Sequence, residues 1–132
     1  MNIKLLSTKA KYLEFSEYDG NEDFTISFGN GYSEDDLKSF IVKFDISVKS
    51  GHGYKFDLEY IAEFGTDDEI SDDFINSHFP VVNAPAIAYP FMRSFVSTVT
   101  LNAGYEPVIL PTINFQAMLN QRTSEETLHA PE

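Results

Sequence analysis

Histidine titrates nearest neutrality, so His52, His78 and His129 are the first places to seek acid–base or metal chemistry. Their spacing gives no H-E-x-x-H motif and no pair one helical turn apart, and no complete calcium-binding loop occurs. Asp67, Asp68 and Glu69 could attract a divalent cation, but a solvated connector accounts for them more simply. The segments GNGYSE and GHGYKF each carry two glycines without the third glycine or following lysine of a phosphate cradle, so both read as hairpin glycines. G-x-S-x-G is missing. With no cysteine, thiol catalysis, disulfides and Cys-ligated metals are excluded. Arg93, alone in an apolar stretch, reads as an ion-pair or carbonyl partner rather than a catalyst. Non-contiguous triads stay open, but no catalytic, cofactor-binding or metal-binding residue is assigned. The expectation is a protein that is not an enzyme and has no cofactor.

What remains is surface and scaffold. At 132 residues and 14.9 kDa the chain has the length of one domain. Its formal net charge of -12 repels phosphates and offers no polybasic patch, so binding to nucleic acid or to an anionic membrane surface is not expected; nor, for want of an apolar span, is integral membrane association. Lys4, Lys9 and Lys11 precede no uninterrupted apolar stretch of the signal-peptide kind, and no segment reaches the roughly 18 apolar residues of a membrane span. A cytoplasmic location is expected. The charge is unevenly placed: residues 1–73 hold 17 acids and 7 lysines, whereas residues 74–124 hold only Glu106, Arg93 and Arg122. So bare a stretch has trouble covering a solvent face: either it forms the central layer of a small globule or, the stronger reading, much of its surface meets copies of itself or another protein.

Period-two alternation supplies the first elements. In residues 40–49, Phe40, Val42, Phe44, Ile46 and Val48 share a side; residues 54–64 repeat the pattern from Tyr54 to Phe64, and SGHG between them predicts a hairpin. FTISF at 24–28 predicts a shorter strand, and residues 3–15 contain strand-like stretches with a less regular pattern. Four antiparallel strands in chain order is the simplest assembly. DDEISDD leads towards a short helix at Phe74 and Ile75. From Ile87 to Leu101 the pattern is split: Ile87, Phe91, Phe95 and Thr98 or Val99 fit a helical face widened by Met92 and Val96, while SFVSTVTL suits a strand. Asn102–Gly104 reads as a C-terminal cap. Phe115, Met118, Leu119 and Arg122 predict a further helix over about 112–122, starting near Pro111 or Thr112. The predicted organisation is a single domain over 1–124, with an antiparallel sheet in 1–66, a helical part in 74–124 and a flexible tail at 125–132.

The outward strand face carries Asp45, Asp57, Glu59 and Glu63 against Lys43, Lys49 and Lys55, a pattern able to steer a basic partner. Phe24, Phe28, Tyr32, Phe115, Met118 and Leu119 are candidates for an apolar groove beside the sheet, although each taken alone fits the core better than a groove. Rich in Phe and Met, such a groove would suit varied extended peptides.

The stretch AYPFMRSFVSTVTLNAGYEPVILPTINFQAML resembles the bacterial protein-export chaperone family SecB. The matching positions are Pro90, Phe91 and Arg93; Gly104, Tyr105 and Pro107; and Leu110, Pro111, Ile113, Asn114 and Phe115. The resemblance implies an α+β fold, a four-stranded antiparallel sheet packed on two helices, and favours helix for residues 87–101. It implies sheet-edge dimers joined into a homotetramer, a dimer of dimers, through the long helix, with Phe91, Arg93, Phe95, Thr98 and Asn102 as interface candidates. It further implies an ATP-independent chaperone that holds unfolded preproteins and passes them to the translocase motor SecA, with Glu14, Asp57 and Glu59 as docking candidates. Here the loop between the first two strands is short, acidic and without Trp, which predicts a shallower groove wall. The alternative is a dedicated chaperone of an antitoxin or other single partner, in a toxin–antitoxin or phage context.

Overall fold

Alternation of apolar and polar side chains produces the two central strands at nearly the expected extent, whereas the short strand expected over 24–28 runs from 23 to 32. The computed structural model describes residues 1–121. In it β1 (Ile3–Glu17), β2 (Asp23–Tyr32), β3 (Ser39–Lys49) and β4 (Tyr54–Thr66) form one antiparallel sheet. The order is β1-β4-β3-β2, not the chain order expected from sequence. β2, β3 and β4 form a meander, and β1 returns beside β4 in Greek-key fashion. The segment joining β1 to β2 must therefore cross the tip of the β3–β4 hairpin. Tyr18 ties it there, donating its backbone N–H to Gly53 O at 3.1 Å while Lys49 Nζ lies 5.7 Å from its ring centre. Alternation specifies which residues face the core, but it does not name the neighbouring strand.

β1 also explains its own irregular pattern. Its register slips between Leu5 and Ser7 and again between Ala10 and Tyr12. Each extra residue is a bulge that turns the alternation over, so the core-facing set runs Ile3, Leu5, Thr8, Ala10, Leu13 and Phe15. Strict alternation holds on the central strands. Phe40 pairs with Phe64, Phe44 with Tyr60 and Val48 with Phe56, all buried. Each such side chain contributes about 1.5–3 kcal/mol of burial energy.

Helices cover this apolar face. Ser71 accepts from Phe74 N–H and starts the single turn α1 (Asp72–Ile75). A π-helical turn, Phe79–Asn83, runs directly into α2 (Ala84–Asn102), so the split pattern of residues 87–101 resolves as helix. Pro85, near the helix start, has no N–H for a carbonyl one turn back; Pro80 O instead accepts from Asn30 Nδ2 on β2 at 2.8 Å. Pro90 is tolerated on an exposed side of the helix, where the carbonyl it leaves unpaired can be solvated. The fully buried stripe is Ala84, Ala88, Met92, Val96 and Thr100; of the expected face, Met92 and Val96 are buried and Phe95 packs against the core, while Ile87 and Phe91 are exposed. Ile87 and Phe91 point outward, and alanines at 84 and 88 let the start of the helix approach the sheet. Gly104, at φ +95°, ends the helix with Gly104 N–H on Leu101 O.

A third helix, α3, occupies residues 115–121. It begins later than expected, because Asn114 is its cap: Asn114 Oδ1 accepts from Ala117 N–H at 2.9 Å, and the preceding residues Pro111–Ile113 are extended. The expected end at Arg122 and the tail at 125–132 lie outside the described residues. Sheet, α2 and α3 share one core.

Candidate functional site

The catalytic possibilities are scattered. His52 lies at the exposed hairpin tip and His78 just before the π-helical turn, while His129 lies outside the described residues. Asp67 accepts from Asn2 N–H at 2.7 Å, which holds its carboxyl below the usual range. Among the described residues no group of three or more metal-ligating side chains converges. Arg93 departs from expectation: among the described residues it has no ion pair or hydrogen bond, and its charge acts on nearby Tyr89.

The hairpin end of the sheet holds a cleft of about 460 Å³. Phe24, Val48 and Tyr54 form its sheet side, and the connector from Glu106 to Pro111, between α2 and α3, forms the opposite wall. Glu22, Asp23, Lys49 and His52 line its charged side. The connector carries prolines at 107 and 111 and no regular secondary structure, and Ile109 is 70% exposed. Side chains hold it in place. Tyr54 Oη donates to Glu106 O at 3.2 Å, and Tyr89 Oη donates to Pro111 O at 2.6 Å. Thr100 Oγ1 donates to Val96 O at 2.8 Å and accepts from Val108 N–H at 3.0 Å. The Tyr105 ring stacks on Tyr54 at 4.1 Å and on Phe15 at 5.1 Å, and Leu110 is buried beneath. Burial pushes the Tyr89 hydroxyl up to about 12, against a smaller opposing pull from Arg93.

The six groove candidates do not line one channel. Phe24 lines the cleft. Phe28 and Phe115 meet edge-to-face at 5.3 Å inside the core, and Phe115 also packs on Tyr89 at 5.6 Å. Met118 rests against that core. Tyr32, 39% exposed, stacks on Phe40 at 6.0 Å near the opposite end of β2. Leu119 faces a second concavity of about 730 Å³ with Ile75, His78 and Val81. The cleft residues that sequence reasoning missed are Val48, Tyr54 and the connector. The one sequence signal for the connector was an apolar triplet, Val108–Leu110, bracketed by prolines.

The three docking candidates do converge. Glu14 pairs with Asp57 and Tyr12 with Glu59 across β1 and β4, on the face opposite the helices. Tyr12 Oη donates to Glu14 Oε2 at 2.5 Å; this bond, then burial and the charges of Glu14 and Asp57, keep its hydroxyl above the usual tyrosine range. Lys43 Nζ lies 3.3 Å from Glu59 and 3.8 Å from Asp45, partly offsetting two carboxylates that sit directly opposite each other. Lys55 reaches Asp57 at 3.6 Å. Among the interface candidates, Phe91, Thr98 and Asn102 are exposed on α2, whereas Arg93 and Phe95 are half-buried, Phe95 lying 5.5 Å from the Tyr60 ring. Ile87, placed on the same helical face from sequence but not among the interface candidates, and Leu101 extend the exposed stripe.

Comparison with known proteins places this architecture. The sequence model of the family SecB, described as preprotein translocase subunit SecB, matches residues 9–126. The chain belongs to the SecB family. It is 31% identical over 71 residues to the protein-export protein SecB of Anaplasma phagocytophilum, covering 52% of this chain and 44% of that protein. It is 25% identical over 116 residues to the corresponding protein of Magnetococcus marinus, covering 83% and 71%. The chain spans about half the length of several curated relatives it matches. Among solved structures, a SecB-like chaperone of Mycobacterium tuberculosis, in complex with a peptide from an antitoxin, superposes with a TM-score of 0.67. The identity is 12%, over 85% of this chain and 90% of that one, which establishes a shared fold.

Proposed function

We propose that this protein is an ATP-independent chaperone that holds unfolded polypeptide segments in the cleft between β2–β3 and the connector. The observation that carries this reading is the cleft itself, open at one end of the core and walled by an extended, partly apolar strap. An extended client can lay apolar side chains against Phe24, Val48 and Ile109 while its backbone stays hydrated. Of the six residues first chosen for the groove, Phe24 and Tyr32 are exposed enough to meet a client directly; Phe28 and Phe115 are buried in the core, Met118 packs against it, and Leu119 lines the second concavity. The exposed stripe of α2 joins two dimers into a homotetramer, and the acidic face around Glu14, Asp57 and Glu59 delivers export clients to the motor SecA.

In the absence of nucleotide, the protein is expected to delay aggregation of a chemically unfolded client, and light scattering is expected to give about four times the 14.9 kDa protomer mass. No suppression at stoichiometric excess would remove the chaperone reading. Suppression confined to one antitoxin, with no binding to SecA, would replace general export by the dedicated role. The relative bound to an antitoxin peptide makes that the first alternative to test.

A further inference from the structure

Between Glu106 and Ile113 the connector makes no backbone–backbone hydrogen bonds among the described residues. Its ties to the fold are instead three hydroxyls: Tyr54 on Glu106 O, Thr100 on Val108 N–H and Tyr89 on Pro111 O. They come from two elements, β4 and α2, and take hold at intervals of two and three residues. Thr100 is suited to its place because a hydroxyl has one proton and two lone pairs. It spends the proton on Val96 O within the helix and offers a lone pair to Val108. The tyrosine hydroxyls act in the opposite sense, donating to carbonyls that prolines and extended geometry leave without other partners. Burial keeps Tyr89 protonated through the physiological range, so its bond persists there.

We propose that Tyr54, Thr100 and Tyr89 are positioning residues whose hydroxyls hold the connector as the wall of the cleft and thereby set the affinity for an extended client. This rests on the cleft being the client site. Phenylalanine at 54 and 89, and valine at 100, keep the ring or branch and remove only the hydroxyl. The test compares Tyr54→Phe, Tyr89→Phe, Thr100→Val and Thr100→Ser with the unsubstituted protein. Two quantities are read: amide hydrogen exchange across residues 106–113, with β3–β4 as the internal control, and the dissociation constant for a reduced, carboxymethylated unfolded protein. Each of the first three variants is expected to speed connector exchange and weaken binding on the order of fivefold, the effect of losing one hydrogen bond. Thr100→Ser, which keeps the oxygen, is expected to stay near the unsubstituted protein in both. Unchanged connector exchange overturns the proposal, as does faster exchange with unaltered affinity. Should Thr100→Val fail to fold, the two tyrosine variants decide the matter alone. Failure of the unsubstituted protein to bind would instead strike the cleft reading itself.

Discussion

The outer face of the sheet and the outer face of α2 both point away from the core, yet they are built on opposite rules. The sheet face mixes Asp45, Asp57, Glu59 and Glu63 with Lys43, Lys49 and Lys55, and its apolar members are isolated among charges. On α2, Ile87, Phe91 and Leu101 are 45%, 51% and 58% exposed, and Arg93 is the helix's single charged residue. Water covers the first face at little cost. The second leaves large apolar side chains in water, a cost that association removes. Exposure alone therefore does not distinguish an interface; the company that an exposed apolar residue keeps does.

The comparison breaks most sharply by placing charge on the bare face. Ile87→Asp combined with Phe91→Asp is expected to weaken association of the proposed tetramer on the order of 100-fold or more, the scale of losing central apolar anchors. Thr25→Asp with Ser47→Asp, on the sheet face, is expected to leave the assembled mass unchanged. Sedimentation over a concentration series reads both, and dissociation by the sheet pair would show that the faces had been assigned the wrong way round.

Alkali separates a tyrosine on the buried side of α2 from one on the exposed sheet face. Tyr89 is raised by burial to about 12, whereas Tyr12 is raised chiefly by its hydrogen bond to Glu14. A folded value above the unfolded one, near 10, stabilises fully below pH 10, and the contribution disappears as pH climbs from 10 through 12. Urea midpoints measured across that window are expected to fall less steeply in Tyr89→Phe than in the unsubstituted protein. Tyr12→Phe, on an exposed pair, is expected to change the slope little. Equal slopes in all three proteins would show that Tyr89 is not protected from solvent.

The smallest effect belongs to the charged face. Glu59→Gln is expected to alter unfolding stability by about 0.5 kcal/mol or less, since its ion pair with Lys43 is only partly shielded from water. Its consequence should appear in association with a basic partner, as a slower on-rate and a shallower dependence on salt. A stability loss several times larger would mean that the acidic face is structural rather than a docking surface.

Much of this was legible in the chain because side-chain alternation is a local property. Phe40 to Val48 and Tyr54 to Phe64 declared their buried sides, and the charge-poor stretch announced a surface needing cover. β1 was harder because two bulges turned its alternation over. The groove was harder still. Phe28 and Phe115 are chemically indistinguishable from groove residues, and it takes their burial and their mutual contact at 5.3 Å to show them interior. Asn114 was visible as a residue type, yet its capping role depended on where the connector released the helix.

By itself, then, the sequence determined strand faces, the acidic and bare halves and the membership in a family whose motif runs through Pro90, Gly104 and Phe115. The tertiary structure decided that β1 crosses to β4, that α2 turns its small residues inward, and that residues 106–111 become a cleft wall. The reason is one of range. Alternation and capping act over a few residues. Strand order, helix rotation and the connector's hold on Tyr54, Thr100 and Tyr89 depend on contacts between distant parts of the chain.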